Sequence, residues 1–284
     1  MNKLIALVDG SVYTQSVCDH AAWIAKRTAS AIDLLQVIGR SETNSAPANL
    51  SGNITLGART ALLEELSAFD EQRAKLFQKR GRAILDDAKA SIEAAGVKEV
   101  TARLRFGDIV ETVAESEAAA DMVVIGKRGE AADFASLHLG SNLERIVRTC
   151  SKPVFVAARA FKPIEKFLIA YDGGTSSMKA VDYVARNPLF SGLQCRLLMA
   201  GADTPETRNR LDDARNLLEA SGLAVEASIA NGQAETVIAQ AVETDGIDLL
   251  VMGAYGHSRI RSLIIGSTTG EMVRSCRIPV ALFR

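Results

Sequence analysis

Asp121-Met122-Val123-Val124-Ile125-Gly126-Lys127-Arg128-Gly129, followed after ten residues by Gly140-Ser141-Asn142, decides the fold of this chain because it occurs twice. The second copy is Asp248-Leu249-Leu250-Val251-Met252-Gly253-Ala254-Tyr255-Gly256, followed after nine residues by Gly266-Ser267-Thr268. Each apolar run opened by Asp reads as a buried strand, each glycine pair as a tight turn, and each hydroxyl residue as a helix start. Glycine admits positive φ and lets the backbone approach a ligand closely. A helix start offers unpaired N–H groups and the positive end of a dipole, which suits phosphate.

The duplication runs through the chain. Leu85–Gly96 aligns with Leu211–Gly222 at an offset of 126, and Arg148, Cys150 and Pro153 align with Arg274, Cys276 and Pro279 at the same offset. Nearer the repeat starts, Asp9-Gly10 aligns with Asp172-Gly173 at an offset of 163, so the offset falls by 37 between Val37 and Leu85. Two homologous domains account for this, 1–159 and 165–284, the first carrying an insertion over about 39–84. The period is far longer than that of a solenoid, and each unit has the size of a domain. Residues 160–164 form a linker short enough to predict that the domains pack together.

A chain of 284 residues with 48% hydrophobic content supports two cores. A net charge of −1 gives no drive toward nucleic acid or an anionic membrane. No apolar run reaches the length of a membrane span. The opening Met1–Asp9 reads as a first strand rather than a signal peptide. The four cysteines are dispersed with no CxxC pair, which fits a reducing cytoplasm and argues against a zinc ribbon or a disulfide framework.

Strand and helix patterns alternate in both halves, which predicts parallel sheets covered on both faces. Lys3–Val8, Ala31–Ile38, Val100–Phe106, Asp121–Ile125 and Pro153–Ala157 read as the strands of the first half. Gly96 suits a helix C-cap and Asp108 an N-cap. Within the insertion, residues 39–55 have loop composition. From Arg59 an amphipathic helix is expected, with Leu62, Leu66, Phe69, Leu76, Phe77, Ile84, Ala88 and Ile92 near the 3.6 period and a break or bend at Arg73 or Arg80. It would lie on its own sheet or, on a sharper reading, form a lid or partner surface over the first site.

With these residues the chain resembles tandem universal stress proteins. Nucleotide-binding members of that family carry Gly-x2-Gly-x9-Gly-Ser/Thr, often followed by Asn. Gly253, Gly256, Gly266 and Ser267 fit it in full; Gly126, Gly129, Gly140, Ser141 and Asn142 fit it with one extra residue. Asp9-Gly10-Ser11 and Asp172-Gly173-Gly174 match the family's Asp at the end of the first strand. The resemblance implies two tandem α/β domains, Rossmann-like and of the adenine nucleotide alpha hydrolase type. Each would be a five-stranded parallel sheet of order 3-2-1-4-5, with ligand at the switch point between strands 1 and 4. It implies ATP or ADP as ligand, with Mg²⁺ as a candidate companion of the nucleotide. Asp9 and Asp172 would reach its adenine or ribose side, and the backbone of Val37 and Ala200 would face the adenine. The glycines, with Ser141/Asn142 and Ser267/Thr268, would hold phosphate.

Lys127 and Arg128 in the first loop, and His257, Arg259 and Arg261 in the second, could add positive charge beside phosphate, or be solvated basic residues. Glu130 and Asp133 oppose them in the first. Cys150 and Cys276 read as small buried residues rather than redox sensors. His20, His138 and His257 have no ligand spacing, so no protein metal site is assigned. The absence of GxGxxG after a first strand argues against a dinucleotide dehydrogenase, and the absence of GxxxxGK[ST] against a P-loop NTPase. Two function classes remain, with a third behind them. One is a stress-responsive adenine-nucleotide-binding regulator that works through an unknown protein partner. The second is a slow ATP or ADP hydrolase. The third is a scaffold with vestigial sites or another small ligand. Because no carboxylate or histidine recurs after both glycine loops to orient water, binding is favoured over hydrolysis. The last strands, Val154–Ala158 and Val280–Phe283, are expected to pair antiparallel and make an internal pseudodimer, with a further homodimer as an option.

Overall fold

The structure is a computed structural model that describes residues 2–39, 56–129, 141–254 and 267–284, and only the backbone of 56–61, 141 and 267. In the first half, β1 (Lys3–Leu7), α1 (Thr14–Thr28), β2 (Ala31–Ile38), α2 (Leu56–Ala94), β3 (Val100–Phe106), α3 (Ile109–Glu117), β4 (Met122–Gly126), α4 (Ser141–Thr149) and β5 (Val154–Ala157) follow in order. The second half repeats the series: β6 (Lys166–Ala170), α5 (Thr175–Arg186), β7 (Gln194–Ala200), α6 (Pro205–Ala220), β8 (Ala224–Ala230), α7 (Ala234–Thr244), β9 (Leu249–Gly253), α8 (Ser267–Ser275) and β10 (Val280–Phe283). One ten-stranded sheet runs β3-β2-β1-β4-β5-β10-β9-β6-β7-β8. Each half therefore has the order 3-2-1-4-5, parallel within itself.

Period-two alternation places one set of strand residues on each face. Leu4, Ala6, Phe155, Phe167 and Ala281 join one apolar cluster, and Ile5, Leu7, Val154, Leu168 and Val280 join the other. Both clusters cross the seam between the halves, where β5 and β10 pair antiparallel with Val156 opposite Val280 and Val154 opposite Leu282. These edge residues are sealed rather than left as an open template for association. The linker packs as well: Ile164 is buried and Phe161 meets the His20 ring edge-on at 5.0 Å.

An antiparallel seam between two parallel halves has a geometric consequence. The carboxyl ends of the first five strands lie on the opposite rim of the sheet from those of the last five. The two switch points therefore face away from each other.

Local chemistry sets the element ends. Asp108 caps α3 by accepting from the N–H groups of Val110 at 2.8 Å and Glu111 at 3.3 Å. Gly96, at φ +94, turns the chain out of α2. The expected break near Arg73 or Arg80 does not occur: α2 is one continuous helix of 39 residues that begins at Leu56 rather than Arg59. Arginine is a good helix former, and Arg73 lies over the Phe77 ring at 5.7 Å, so its stem covers apolar surface without interrupting the ladder. The apolar stripe is also not core along its length. Leu85, Ala88 and Ile92 are buried, whereas Phe69 and Leu76 are 58% and 67% exposed. The repeat alignment places Lys79 opposite Pro205 at the start of α6, so Leu56–Gln78 is the part of the helix that the second half lacks.

Candidate functional site

The first switch point is built by the β1–α1 loop, the end of β2, the β4–α4 loop and the middle of α2. Asp9 Oδ1 accepts from Ser11 N–H at 3.0 Å and Thr14 Oγ1 accepts from Gly10 N–H at 3.0 Å, which folds the loop back over the strand end. Gly10 sits at φ +80, and a Cβ there would lie 2.6 Å from Ile84 Cδ1 of α2. On the facing loop a Cβ at Gly129 would lie 2.9 Å from Asp9 Oδ2. One at Gly126 would lie 2.7 Å from Tyr13 Cβ. The positive φ of Gly10 and the close approach of Gly126 to Tyr13 favour glycine at these positions, and between the loops is a cavity of about 170 Å³.

That cavity brings together residues the sequence nominates from separate elements: Asp9, Val37, Gly126, Lys127, Arg128, Gly129 and Asn142. It also contains residues the sequence reading missed, namely Tyr13, Gln36, Phe77 and Arg80. Gln36 is only 8% exposed, and its Oε1 has no hydrogen-bond partner among the described residues. A buried unpaired amide oxygen is costly unless a ligand or water supplies a donor. A signal for it existed in Leu34-Leu35-Gln36-Val37-Ile38, where one amide interrupts an apolar strand. Phe77 and Arg80 were named only as positions along the insertion helix, whose sharper reading laid it over the first site, and the packing of α2 across the strand ends carries them there.

At the second switch point Asp172 Oδ1 accepts from Gly174 N–H at 2.8 Å and from Ser177 Oγ at 2.6 Å. Gly173 has φ +74, and a Cβ on Gly253 would lie 2.8 Å from Ser177 N. Ala200 ends β7, in the place that Val37 takes near the end of β2. Gly140, Gly256, His257, Arg259 and Gly266 lie outside the described residues, as do Glu130, Asp133 and Arg261 and the side chains of Ser141 and Ser267.

The model of the universal stress protein family matches residues 1–158 and 196–284. A universal stress protein of Synechocystis sp. is 36% identical over the full length of both chains. The chain belongs to the universal stress protein family. Two crystal structures of proteins with the same architecture extend the comparison. A universal stress protein from Archaeoglobus fulgidus superposes with a TM-score of 0.75 at 21% identity, covering 100% of this chain and 96% of its own. A universal stress protein from Pseudomonas aeruginosa does so with a TM-score of 0.61 at 14% identity, covering 100% and 93%.

Two residues of this universal stress protein are arranged otherwise than its loop pattern predicts. Lys127, expected to lend charge to phosphate, is 9% exposed, and its ammonium donates instead to the Cys276 carbonyl at the end of α8. Burial, with Arg128 adding to it, pulls its pKa down to about 8. A buried ammonium needs an acceptor, and a helix C-terminus supplies one with a favourable dipole. Thr268, expected to hold phosphate, donates its hydroxyl to Glu235 Oε1 at 2.8 Å and so ties α8 to the first turn of α7.

Cys150 and Cys276 are buried free thiols, and burial raises both pKa values, Cys150 to about 12. That environment makes neither thiol reactive. Among the described residues no cluster of His, Cys, Asp or Glu could hold a metal ion, and no helix is long and apolar enough to cross a membrane.

Proposed function

We propose that this universal stress protein is an adenine-nucleotide-binding regulatory module whose first half takes ATP or ADP in the cavity between Asp9, Gln36–Val37 and Gly126–Gly129. The observation that carries the reading is the convergence of these residues on one cavity that Gln36 also lines, its buried Oε1 having no hydrogen-bond partner among the described residues. The amide oxygen can accept from an exocyclic amino group. Asp9 can accept from a ribose hydroxyl, and the narrow glycine loop with Arg80 and Arg128 nearby suits phosphate. The second half would use Asp172, Ala200, Gly253 and the loop through Gly266 to Ser267 in the same way. Nucleotide occupancy would then alter the glycine loops that partners meet.

Calorimetric titration of ATP and ADP tests the proposal, with mass spectrometry of ligand released on denaturation. Gly129→Val should abolish binding in the first half, because its Cβ would meet the Asp9 carboxylate at 2.9 Å. Gly266→Val should do the same in the second. Unchanged affinity and stoichiometry in either variant, with the fold intact by circular dichroism, would remove that half's assignment.

A further inference from the structure

A second and larger cavity, of about 450 Å³, lies between the two halves. It exists because the seam is antiparallel. The carboxyl-end rim of the first half, with Lys127 and Arg128 after β4 and Arg159 after β5, comes to face the amino-end rim of the second, with Asp248 before β9 and Arg277 before β10. Among the described residues its walls hold six cations, Lys127, Arg128, Arg159, Lys162, Arg274 and Arg277, and one carboxylate, Asp248, whose Oδ2 accepts the backbone N–H groups of Glu165 and Lys166, each at 3.0 Å. Arg274 has a carboxylate partner in Glu271 at 2.5 Å.

Lys127 corresponds by repeat alignment to Ala254, and Arg277 to Ser151, so these two cations do not recur at the pseudosymmetric positions, where Arg284 instead donates to the Arg148 carbonyl. Lys127 also caps the carbonyl end of α8, which removes the negative helix end as a competitor for cations in the cavity. Tyr13, Lys127 and Arg128 line this cavity and the first switch-point cavity alike, so the two sites share one wall.

We infer that the cavity between the halves is a binding site for a multiply charged phosphate compound, distinct from the nucleotide cavity beside it. A low-dielectric cleft lined by one sign of charge concentrates polyanions, and guanidinium groups pair with phosphate oxygens in bidentate geometry. The site rests on the seam and its cations, not on the nucleotide reading. A ligand there would bridge the halves and would sense the first switch-point cavity through Tyr13, Lys127 and Arg128.

The test is calorimetric titration of the full chain with sodium tripolyphosphate at physiological salt, alone and with saturating ATP. With ATP saturating the nucleotide sites, wild type should still bind one tripolyphosphate per chain. The double variant Arg159→Gln/Arg277→Gln removes two exposed side chains that do not line the nucleotide cavity. It should weaken tripolyphosphate by at least about tenfold and leave ATP affinity unchanged. Lys26→Gln/Lys98→Gln makes the same charge change away from the cavity and should leave tripolyphosphate binding intact. Absence of tripolyphosphate binding, equal weakening in both double variants, or loss of binding in saturating ATP would each overturn the inference. Failure of ATP to bind while tripolyphosphate binds would overturn the nucleotide reading and leave this one standing.

Discussion

Lys127 shows how one residue can belong to a loop motif and serve a neighbour instead. Its ammonium is buried and bonded to Cys276 across the seam, with a pKa near 8 where the unfolded chain has the ordinary 10.5. Between those two values the unfolded chain binds the extra proton and the native state does not, so stability rises with pH across that window. Relative to Lys127→Met, which cannot titrate, the wild type should gain up to about 3 kcal/mol on going from below pH 8 to above pH 10. Urea denaturation of both proteins at pH 7 and pH 10 measures it. A pH-independent difference would show that the ammonium is solvated. Gln36 makes the complementary point: its unpartnered amide oxygen became informative only once its burial was known.

At the scale of elements, α2 decides the asymmetry between the halves. Its additional Leu56–Gln78 segment carries Phe77 to the first cavity, followed by Arg80, whereas the position equivalent to Arg80 in α6 is Glu206, paired with Arg210 at 2.6 Å. A cation in one half and a Glu206–Arg210 ion pair in the other should separate the two nucleotide affinities. Arg80→Glu should weaken the tighter class of ATP sites by about tenfold or more and leave the other unchanged. Two indistinguishable sites in the wild-type titration would contradict this. Phe77→Ala should weaken the same site, through lost apolar contact with the ligand, and should cost little stability because Phe77 is only partly buried. Nothing in the periodicity of α2 separates its core-facing end, from Leu85 onward, from its exposed end. Both ends carry the same apolar spacing, and only the length of the sheet beneath distinguishes them.

For the whole molecule, the β5–β10 seam joins two sheets into one and completes both apolar clusters. Phe283 is 4% exposed and lies 5.0 Å from the Tyr183 ring. Phe283→Ala should cost about 3–5 kcal/mol, read as a drop in thermal midpoint. Deleting Val280–Arg284 would strip β9 of one of its two neighbouring strands and bare the β5 edge. The truncated chain should lose stability and associate, seen as an increased mass in light scattering. A monomer of unchanged midpoint would mean that the seam contributes nothing. Because the seam is antiparallel, the two proposed nucleotide sites should also titrate independently, being on opposite rims.

The sequence by itself determined the repeat, the α/β class and the glycine loops, while the strand order within each half came from the family resemblance. The first three follow from local rules: apolar runs of strand length, glycine where the backbone turns, caps such as Asp108, and a long internal offset that only duplication explains. The sequence also anticipated the antiparallel seam, because two apolar edges need cover. What the seam creates was not legible. That Lys127 turns to Cys276 and that six cations meet across the halves depend on contacts between residues far apart in the chain. Spacing along a chain fixes which side chains share a face of one element. It does not fix which faces of different elements come together, and only tertiary packing settles that.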